Sequence, residues 1–215
     1  MFSKIFPKIH AEGYKFLIIA GIITLVFYSF SDFLGLIGFV ITIWVYYFFR
    51  DPERIVIEDD NFLVSPADGE VIKVEEVDGP KELGLENKRF KKISIFMNVF
   101  DCHVNRTPCA GKIEEILYKP GKFFNASLDK ASKENERNYY KILSIKGEEI
   151  IIVQIAGLIA RRIVCEVSKQ QNLKQGERIG MIRFGSRVDI FCSNKTILAK
   201  LGQNVTAGES LLAKE

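Results

Sequence analysis

The feature that most constrains this chain is an almost uninterrupted apolar stretch near its N-terminus. Phe16 to Phe49 span 34 positions, and Asp32 is the only charged residue among them. Asp32 separates apolar halves of 15 and 17 residues, each a little shorter than the roughly 20 residues that an upright transmembrane helix needs. The sequence therefore predicts a membrane-associated helical hairpin in residues 1–50, with two short spans at about 14–30 and 33–49.

Other structures for this stretch are less well supported. A single long re-entrant element would use the same residues and remains the competing geometry. A hairpin buried inside a soluble core would need a larger domain to enclose it. A cleaved signal peptide fits poorly, because the apolar stretch is too long and no small-residue cleavage site follows it.

The charges that flank the hairpin predict its orientation. Lys4, Lys8 and Lys15 precede it, Arg50 and Arg54 follow it, and the turn between the halves has no basic residue. By the positive-inside rule both ends face the cytoplasm, which places residues 51–215 on the cytoplasmic face of the cell (inner) membrane.

Composition excludes some classes of function. The formal net charge is only +3, from 30 basic and 27 acidic residues, so the chain lacks the basic excess of a nucleic-acid-binding protein. Its four cysteines form no Cys-x-x-Cys pair. On the cytoplasmic side they are expected to be reduced thiols in the core.

Residues 51–215 have the pattern of a mainly β domain, a sandwich or barrel-sandwich. Short apolar runs alternate with turn residues. The only helix-like stretch, Asn125 to Asn138, is polar, and a loop is the alternative structure for it. SPADGEVIKV from Ser65 and LGQNVTAGESLL from Leu201 resemble the two halves of biotinyl and lipoyl carrier domains. More than a hundred residues separate the halves, and no modifiable lysine lies in a Met-Lys-Met hairpin, which argues against a carrier function. The predicted strands are 62–64, 69–74, 92–97, 112–118, 140–145, 149–155, 159–167, 188–192 and 211–213.

Several kinds of site are excluded by their missing motifs. No nucleotide-binding glycine loop, His-Glu-x-x-His pair or Gly-x-Ser-x-Gly elbow occurs. Cys102, His103 and Cys109 would make a poor zinc chelate, because adjacent strand residues point to opposite faces. The Gly185–Ser186 step and the lone His103 would each be unremarkable alone.

Six stretches that occur in order give the Gly185–Ser186 step and His103 a functional interpretation. Together they resemble the short, membrane-associated bacterial branch of the phosphatidylserine decarboxylase family. They cover most of the chain, and the last is the most specific, since its Gly-Ser step is where family members cut themselves. The stretches are FFRDPER from Phe48, SPADG from Ser65, MNVFDCHVNRTPCAG from Met97, GKFFNASLDKASKENERN from Gly121, QIAGLIARRIV from Gln154 and GERIGMIRFGSRVD from Gly176.

The resemblance implies self-cleavage between Gly185 and Ser186 and conversion of Ser186 into a covalent pyruvoyl group. That group is the cofactor; it forms a Schiff base with the substrate amine, and no metal is needed. Residues 1–185 and 186–215 become a heterodimer of two pieces, whose further dimerisation is left open.

The same resemblance assigns His103 as a base and Asp68 as the group that orients it. The larger branch of the family has a second histidine three positions after the first, where this chain has Arg106. The base that drives self-cleavage is therefore open between His103 and a carboxylate or water.

Substrate-binding groups are expected in two places. Arg161 and Arg162 are candidates for the headgroup phosphate, and only one of the two would face the pocket if they lie on a strand. A second polar cluster, formed by Lys122, Asn125, Asn135 and Arg137, would close over the site.

The resemblance implies a membrane-bound carboxy-lyase that converts phosphatidylserine to phosphatidylethanolamine and carbon dioxide. One alternative keeps this chemistry and changes the lipid to an ether-linked archaetidylserine. The alternative from another class is a membrane-tethered, carrier-like or adaptor domain without catalysis. Denaturing electrophoresis distinguishes the last of these, because only the enzyme would run as two pieces.

Overall fold

The computed structural model describes residues 7–128, 134–158, 162–183 and 185–215. The chain divides into two compact units, one ending at Glu53 and one beginning at Arg54.

The first unit contains two apolar helices, α1 (Gly13–Phe30) and α2 (Asp32–Phe48). Ser31 separates them with an extended backbone, and its hydroxyl accepts a hydrogen bond from the Phe33 N–H at 3.3 Å, as an N-cap residue does. The two helices approach closely where Gly38 faces Thr24, and the hydroxyls of Thr24 and Thr42 lie 2.9 Å apart. The predicted apolar helical hairpin is confirmed.

Much of the hairpin's apolar surface is uncovered. Large side chains such as Leu25 and Phe30 are 71% and 77% exposed. Helix α1 is long and apolar enough to cross a bilayer, and α2, with 17 residues, is slightly shorter than an 18-residue span.

The described residues of the second unit form three sheets in which every pairing between strands is antiparallel. The large sheet has the order β13-β2-β3-β11-β7-β6-β5-β9, and the small sheets have the orders β1-β14-β12 and β4-β10-β8. The strands are β1 (Phe62–Val64), β2 (Gly69–Asp78), β3 (Arg89–Met97), β4 (Val104–Arg106), β5 (Gly111–Lys119), β6 (Arg137–Ser144), β7 (Glu149–Ala156), β8 (Ile163–Cys165), β9 (Asn172–Leu173), β10 (Arg178–Ile182), β11 (Ser186–Cys192), β12 (Thr196–Ile197), β13 (Asn204–Val205) and β14 (Leu211–Lys214). The predicted mainly β fold is confirmed.

The two carrier-like segments meet in the fold. Strand β13 pairs with β2 through Val205 and Gly69, and the Gly208 N–H donates to the Ser65 carbonyl at 2.7 Å. The intervening residues supply most of the large sheet. The two segments that resemble carrier halves are therefore neighbours in the fold, although more than a hundred residues separate them in the sequence.

The two faces of the large sheet carry different apolar clusters. Alternate residues of β11, such as Val188 and Ile190, belong to the main core. Phe191, on the opposite face, packs in a smaller cluster with Tyr139 and Ile155. This alternation determines which side chains can share a site.

Two local predictions differ from the structure at their ends. The stretch from Asn125 to Asn138, left open between helix and loop, enters strand β6 at Arg137, and its residues 129–133 lie outside the described chain. Alternate residues from Tyr140 onward belong to the main core. The strand predicted at 159–167 is shorter in its described part, since β8 covers only Ile163–Cys165 and residues 159–161 lie outside the described chain. A 3-10 turn at Lys81–Leu83 was not predicted.

Candidate active site

Ser186 lies at the first position of β11, in the interior of the large sheet. It pairs with Met97 of β3 on one side and Ala156 of β7 on the other. The residue is fully buried, and its Oγ makes no hydrogen bond with any described residue. A buried hydroxyl without a partner is unfavourable in an ordinary strand, so this serine is a candidate for chemistry.

The residue before Ser186 has an unusual backbone. Gly185 has a φ of 45°, in the left-handed region that glycine enters without steric cost. The Gly157 backbone lies directly against the Gly185 carbonyl, so that a Cβ added at Gly157 would overlap the carbonyl oxygen and would lie 2.8 Å from the carbonyl carbon. The Gly157 backbone therefore contacts the carbonyl side of the peptide bond before Ser186.

His103 is fully buried immediately before β4. Its carbonyl accepts a hydrogen bond from the Ile182 N–H at 3.3 Å, and its Nδ1 lies 3.0 Å from the Asp101 carbonyl oxygen. A neutral ring that donates from Nδ1 keeps the lone pair of Nε2 for proton transfer.

A buried polar chain that was not predicted runs beside Ser186. The Tyr140 hydroxyl donates to Gln154 at 2.7 Å, and Gln154 donates to Asn105 at 2.8 Å. Gln154 pairs with Val188, two residues after Ser186 on the same face. Burial raises the pKa of Tyr140 well above its ordinary value, with further raising contributions from nearby Cys165 and Glu166, so Tyr140 stays protonated and acts as a donor.

Asp68 is not joined to His103 by a hydrogen bond in the described structure. Its Oδ2 instead accepts from Arg54 at 2.6 Å, and its Oδ1 accepts from the Ala207 N–H at 2.8 Å. Burial alone would lower the pKa of Arg54, but the adjacent Asp68 outweighs it and raises that pKa. Arg106 is buried, and its Nη1 donates to the Gly176 carbonyl at 2.9 Å.

The predicted polar cluster lies near Ser186 only in part. Asn135 is fully buried, and its amide holds backbone groups of Phe124 and Ala156. Arg137 pairs with Ile155 on the sheet face opposite Ser186, where its Nη1 donates to Glu82 and Tyr139.

The remaining members of this cluster have local partners. Lys122 forms an exposed ion pair with Glu134 at 3.0 Å. Asn125 is exposed and accepts from Ser127 within its own turn.

The two arginines predicted to bind phosphate cannot be compared as strand neighbours. Arg162 is exposed and precedes β8, so it lies outside any described strand, and the expected alternation with its neighbour does not apply. Arg161 lies outside the described residues. The Arg162 carbonyl accepts from the Arg183 N–H at 3.2 Å, which ties it to the chain leading to Gly185.

Sequence reasoning also missed an ion pair next to Ser186. Arg187 and Asp189 are both buried, with Nη2–Oδ2 and Nε–Oδ1 distances of 2.9 and 2.8 Å. The signal was present, because two opposite charges alternate with Val188 and Ile190 in a buried strand. Among the described residues, no group of three metal-ligating side chains is arranged to hold an ion.

Comparisons with known proteins give one consistent result. The sequence model described as phosphatidylserine decarboxylase matches residues 41–213. The chain is 74% identical over 215 residues to a phosphatidylserine decarboxylase proenzyme of Pelagibacter ubique, covering 100% of both chains. Proenzymes of the same name from Ruegeria pomeroyi and Rickettsia typhi are 51% and 48% identical, covering 95% and 99% of this chain and 94% and 92% of their own. The family match covers both the Gly185–Ser186 step and His103, and this chain belongs to the phosphatidylserine decarboxylase family.

Proposed function

We propose that this chain is the precursor of an enzyme that cuts itself between Gly185 and Ser186 and then decarboxylates phosphatidylserine to phosphatidylethanolamine. The observation that carries the proposal is the buried, unbonded Ser186 hydroxyl, which directly follows a left-handed glycine within a family match over most of the chain.

Self-cleavage begins when the Ser186 Oγ attacks the Gly185 carbonyl carbon and the peptide bond becomes an ester. Loss of the Ser186 Cα proton then expels the Gly185 carboxylate and leaves dehydroalanine. Water hydrolyses that group, which releases ammonia and leaves a pyruvoyl group on Arg187. No described residue hydrogen-bonds the Ser186 hydroxyl, which leaves it available for the first step.

His103 is the base in this proposal, because a serine hydroxyl is a weak nucleophile until its proton is removed. The Asp101 carbonyl favours the tautomer that leaves Nε2 as the acceptor. We assign Asp68 no step, because its carboxylate accepts from Arg54 and from the Ala207 N–H, and no described hydrogen bond joins it to His103.

The surroundings of Ser186 fit a small carbonyl group. Ala156 and Met97 flank the residue and are fully buried, so both neighbours are shielded from bulk solvent. A pyruvoyl group there would supply a carbonyl that binds the substrate amine and accepts the electrons left by departing carbon dioxide. Arg162, exposed beyond the end of β7, is the described cation that we assign to the headgroup phosphate.

The two pieces are expected to stay together after cleavage. Residues 186–215 contain β11, which is paired along its length with β3 and β7 of the larger piece. Removing β11 would leave two interior strand edges unpaired and would expose the main core.

We also propose that the hairpin spans the inner membrane and that the β unit faces the cytoplasm, where it meets a lipid substrate. The exposed apolar surface of α1 and α2 and the basic flanks support this topology. A cysteine introduced at Ser31 should be labelled from outside intact cells by an impermeant maleimide. Labelling only after permeabilisation would contradict the topology.

The central experiment compares Ser186→Ala with Ser94→Ala. Ser94 is a matched control, because it is also fully buried in the large sheet with an Oγ that bonds no described residue. Intact mass should find wild type and Ser94→Ala as two pieces, the smaller with a blocked terminus, and Ser186→Ala as one inactive chain. An active wild-type preparation with an uncut chain would refute the pyruvoyl mechanism and leave the adaptor alternative.

A further inference from the structure

The carbonyl of the scissile peptide bond is contacted by Gly157, to which the family resemblance gives no role. Gly157 follows β7 and has no positive φ, so its backbone conformation is open to any residue. A side chain there is excluded for a different reason, because its Cβ would overlap the Gly185 carbonyl oxygen. The same Cβ would lie 3.3 Å from the Cβ of Ala126, which is itself buried.

The segment that contains Ala126, residues 124–128, is held by two buried side chains. Asn135 binds Phe124 at both ends of its amide, accepting from the N–H at 2.8 Å and donating to the carbonyl at 2.7 Å. Asn135 also donates to the carbonyl of Ala156, the strand partner of Ser186, at 2.7 Å. Arg187 donates to the Ala126 and Leu128 carbonyls at 3.2 and 3.4 Å.

We infer that Gly157 and residues 124–128 form a cradle that fixes the Gly185 carbonyl for attack by Ser186, and that Asn135 and Arg187 are the positioning residues that hold this cradle. The inference rests on the proposed self-cleavage and deepens it. It gives Asn135 a role in forming the cofactor in place of the substrate contact predicted from the sequence.

The physical reason is the geometry that an acyl shift needs. The Ser186 oxygen must reach the Gly185 carbonyl carbon across the short link between neighbouring residues. A small displacement of that carbonyl therefore takes its carbon out of the direction from which the oxygen can attack. Gly185 has no Cβ and a left-handed φ, and its own backbone does not restrict the carbonyl strongly. External contacts must therefore hold it, and the Gly157 backbone supplies one of them.

The first test is Gly157→Ala, with Gly111→Ala as the matched control. A Cβ at Gly111 would overlap the Leu143 carbonyl in the same sheet, so the two variants suffer the same kind of clash, but only one touches the scissile bond. Self-cleavage of folded Gly157→Ala should slow about a hundredfold, the scale expected for a displacement of about 1 Å. Folded Gly111→Ala should cleave at the wild-type rate.

A second pair keeps the test decisive if Gly157→Ala fails to fold. Asn135→Asp keeps the size of the side chain but replaces the two donated hydrogen bonds with an oxygen that faces two carbonyls, so cleavage should slow about tenfold. Gln203→Glu is its control outside the cradle, because among the described residues the Gln203 side chain only accepts a hydrogen bond, from the Lys200 N–H, and glutamate retains that acceptor.

Hydroxylamine separates a positioning role from a merely structural one. It cuts the ester formed by the acyl shift, leaving a hydroxamate on Gly185 and a free Ser186 hydroxyl, so it should accelerate cleavage of wild type. It should not rescue Gly157→Ala or Asn135→Asp, in which the ester does not form. Rapid hydroxylamine cleavage of these variants, or spontaneous cleavage at the wild-type rate, would overturn this inference but leave the proposed self-cleavage standing. A wild-type chain that stays uncut would overturn the proposed function as well.

Discussion

Replacing Asp189 with alanine should be among the most damaging single substitutions in the β unit outside the reacting groups. The Arg187 and Asp189 side chains are only 1% and 3% exposed, and their charges approach to 2.8 and 2.9 Å. Of the two approaches, only Nη2–Oδ2 is aligned as a hydrogen bond. Without the carboxylate, a guanidinium remains buried with two backbone carbonyls as its described acceptors.

The expected cost of Asp189→Ala is about 3–5 kcal/mol in the free energy of unfolding, the range for breaking a buried ion pair by removing one partner. Asp78→Ala is the matched control. Asp78 pairs with Arg89 at 2.9 Å, but these side chains are 64% and 66% exposed, so the cost should be about 0–1 kcal/mol. The double replacement Arg187→Met with Asp189→Leu should recover most of the loss, because no charge is then left buried.

The assay is urea unfolding followed by pulse proteolysis, carried out on the full chain in detergent micelles. Ser186→Ala serves as the background so that every variant is one covalent chain. Trp44 lies in the hairpin, so tryptophan fluorescence would not report on the β unit. If Asp189→Ala costs no more than Asp78→Ala, the reasoning about this buried pair is wrong.

Two further predictions concern titrating groups. Burial raises the pKa of Cys109 to about 12 and that of Cys192 to about 11, and Cys102 is buried whereas Cys165 is exposed. A thiol reagent at pH 8 should therefore modify one cysteine in the native chain and four in denaturant. Rapid modification of Cys109 in the native chain would contradict this. Burial alone would raise the pKa of Glu82, but the hydrogen bond from Lys119 and the nearby Arg137 lower it below 4.5. A lowered folded-state pKa contributes stability above the unfolded pKa, and that stability is lost as the pH falls through the folded pKa. The difference in unfolding free energy between wild type and Glu82→Gln should thus be constant near neutral pH and shrink below about pH 4.5; a difference that grows on acidification would show that Glu82 is not held as a carboxylate.

Local patterns were enough for the parts of the molecule that depend on neighbouring residues. The apolar run broken at Asp32 predicted α1 and α2, because hydropathy and helix length are properties of a continuous segment. Alternation predicted most strands of the large sheet for the same reason. The polar stretch before Arg137 did not show where strand β6 begins, because its composition does not indicate which of the following residues pack in the core.

Candidate site residues were found by motif, and their arrangement was not. The chain alone pointed to Ser186, Gly185 and His103 through the order of six stretches, and the structure gives Ser186 a buried hydroxyl behind a left-handed glycine. It gives Asp68 a different partner, Arg54, because the path of the chain brings that guanidinium to the carboxylate. Whether His103 is the base stays a prediction.

The apolar pattern of this sequence determined by itself that a helical hairpin precedes a β domain, and its motifs marked the Gly185–Ser186 bond. Only the tertiary structure decided that Gly157 lies against the Gly185 carbonyl, that Asn135 braces residues 124–128, and that Arg187 reaches their carbonyls from the opposite side of the strand. These contacts join residues from 11 to 61 positions apart in the sequence. They depend on the order and register of β3, β11, β7 and β6, which no periodicity within a single segment encodes.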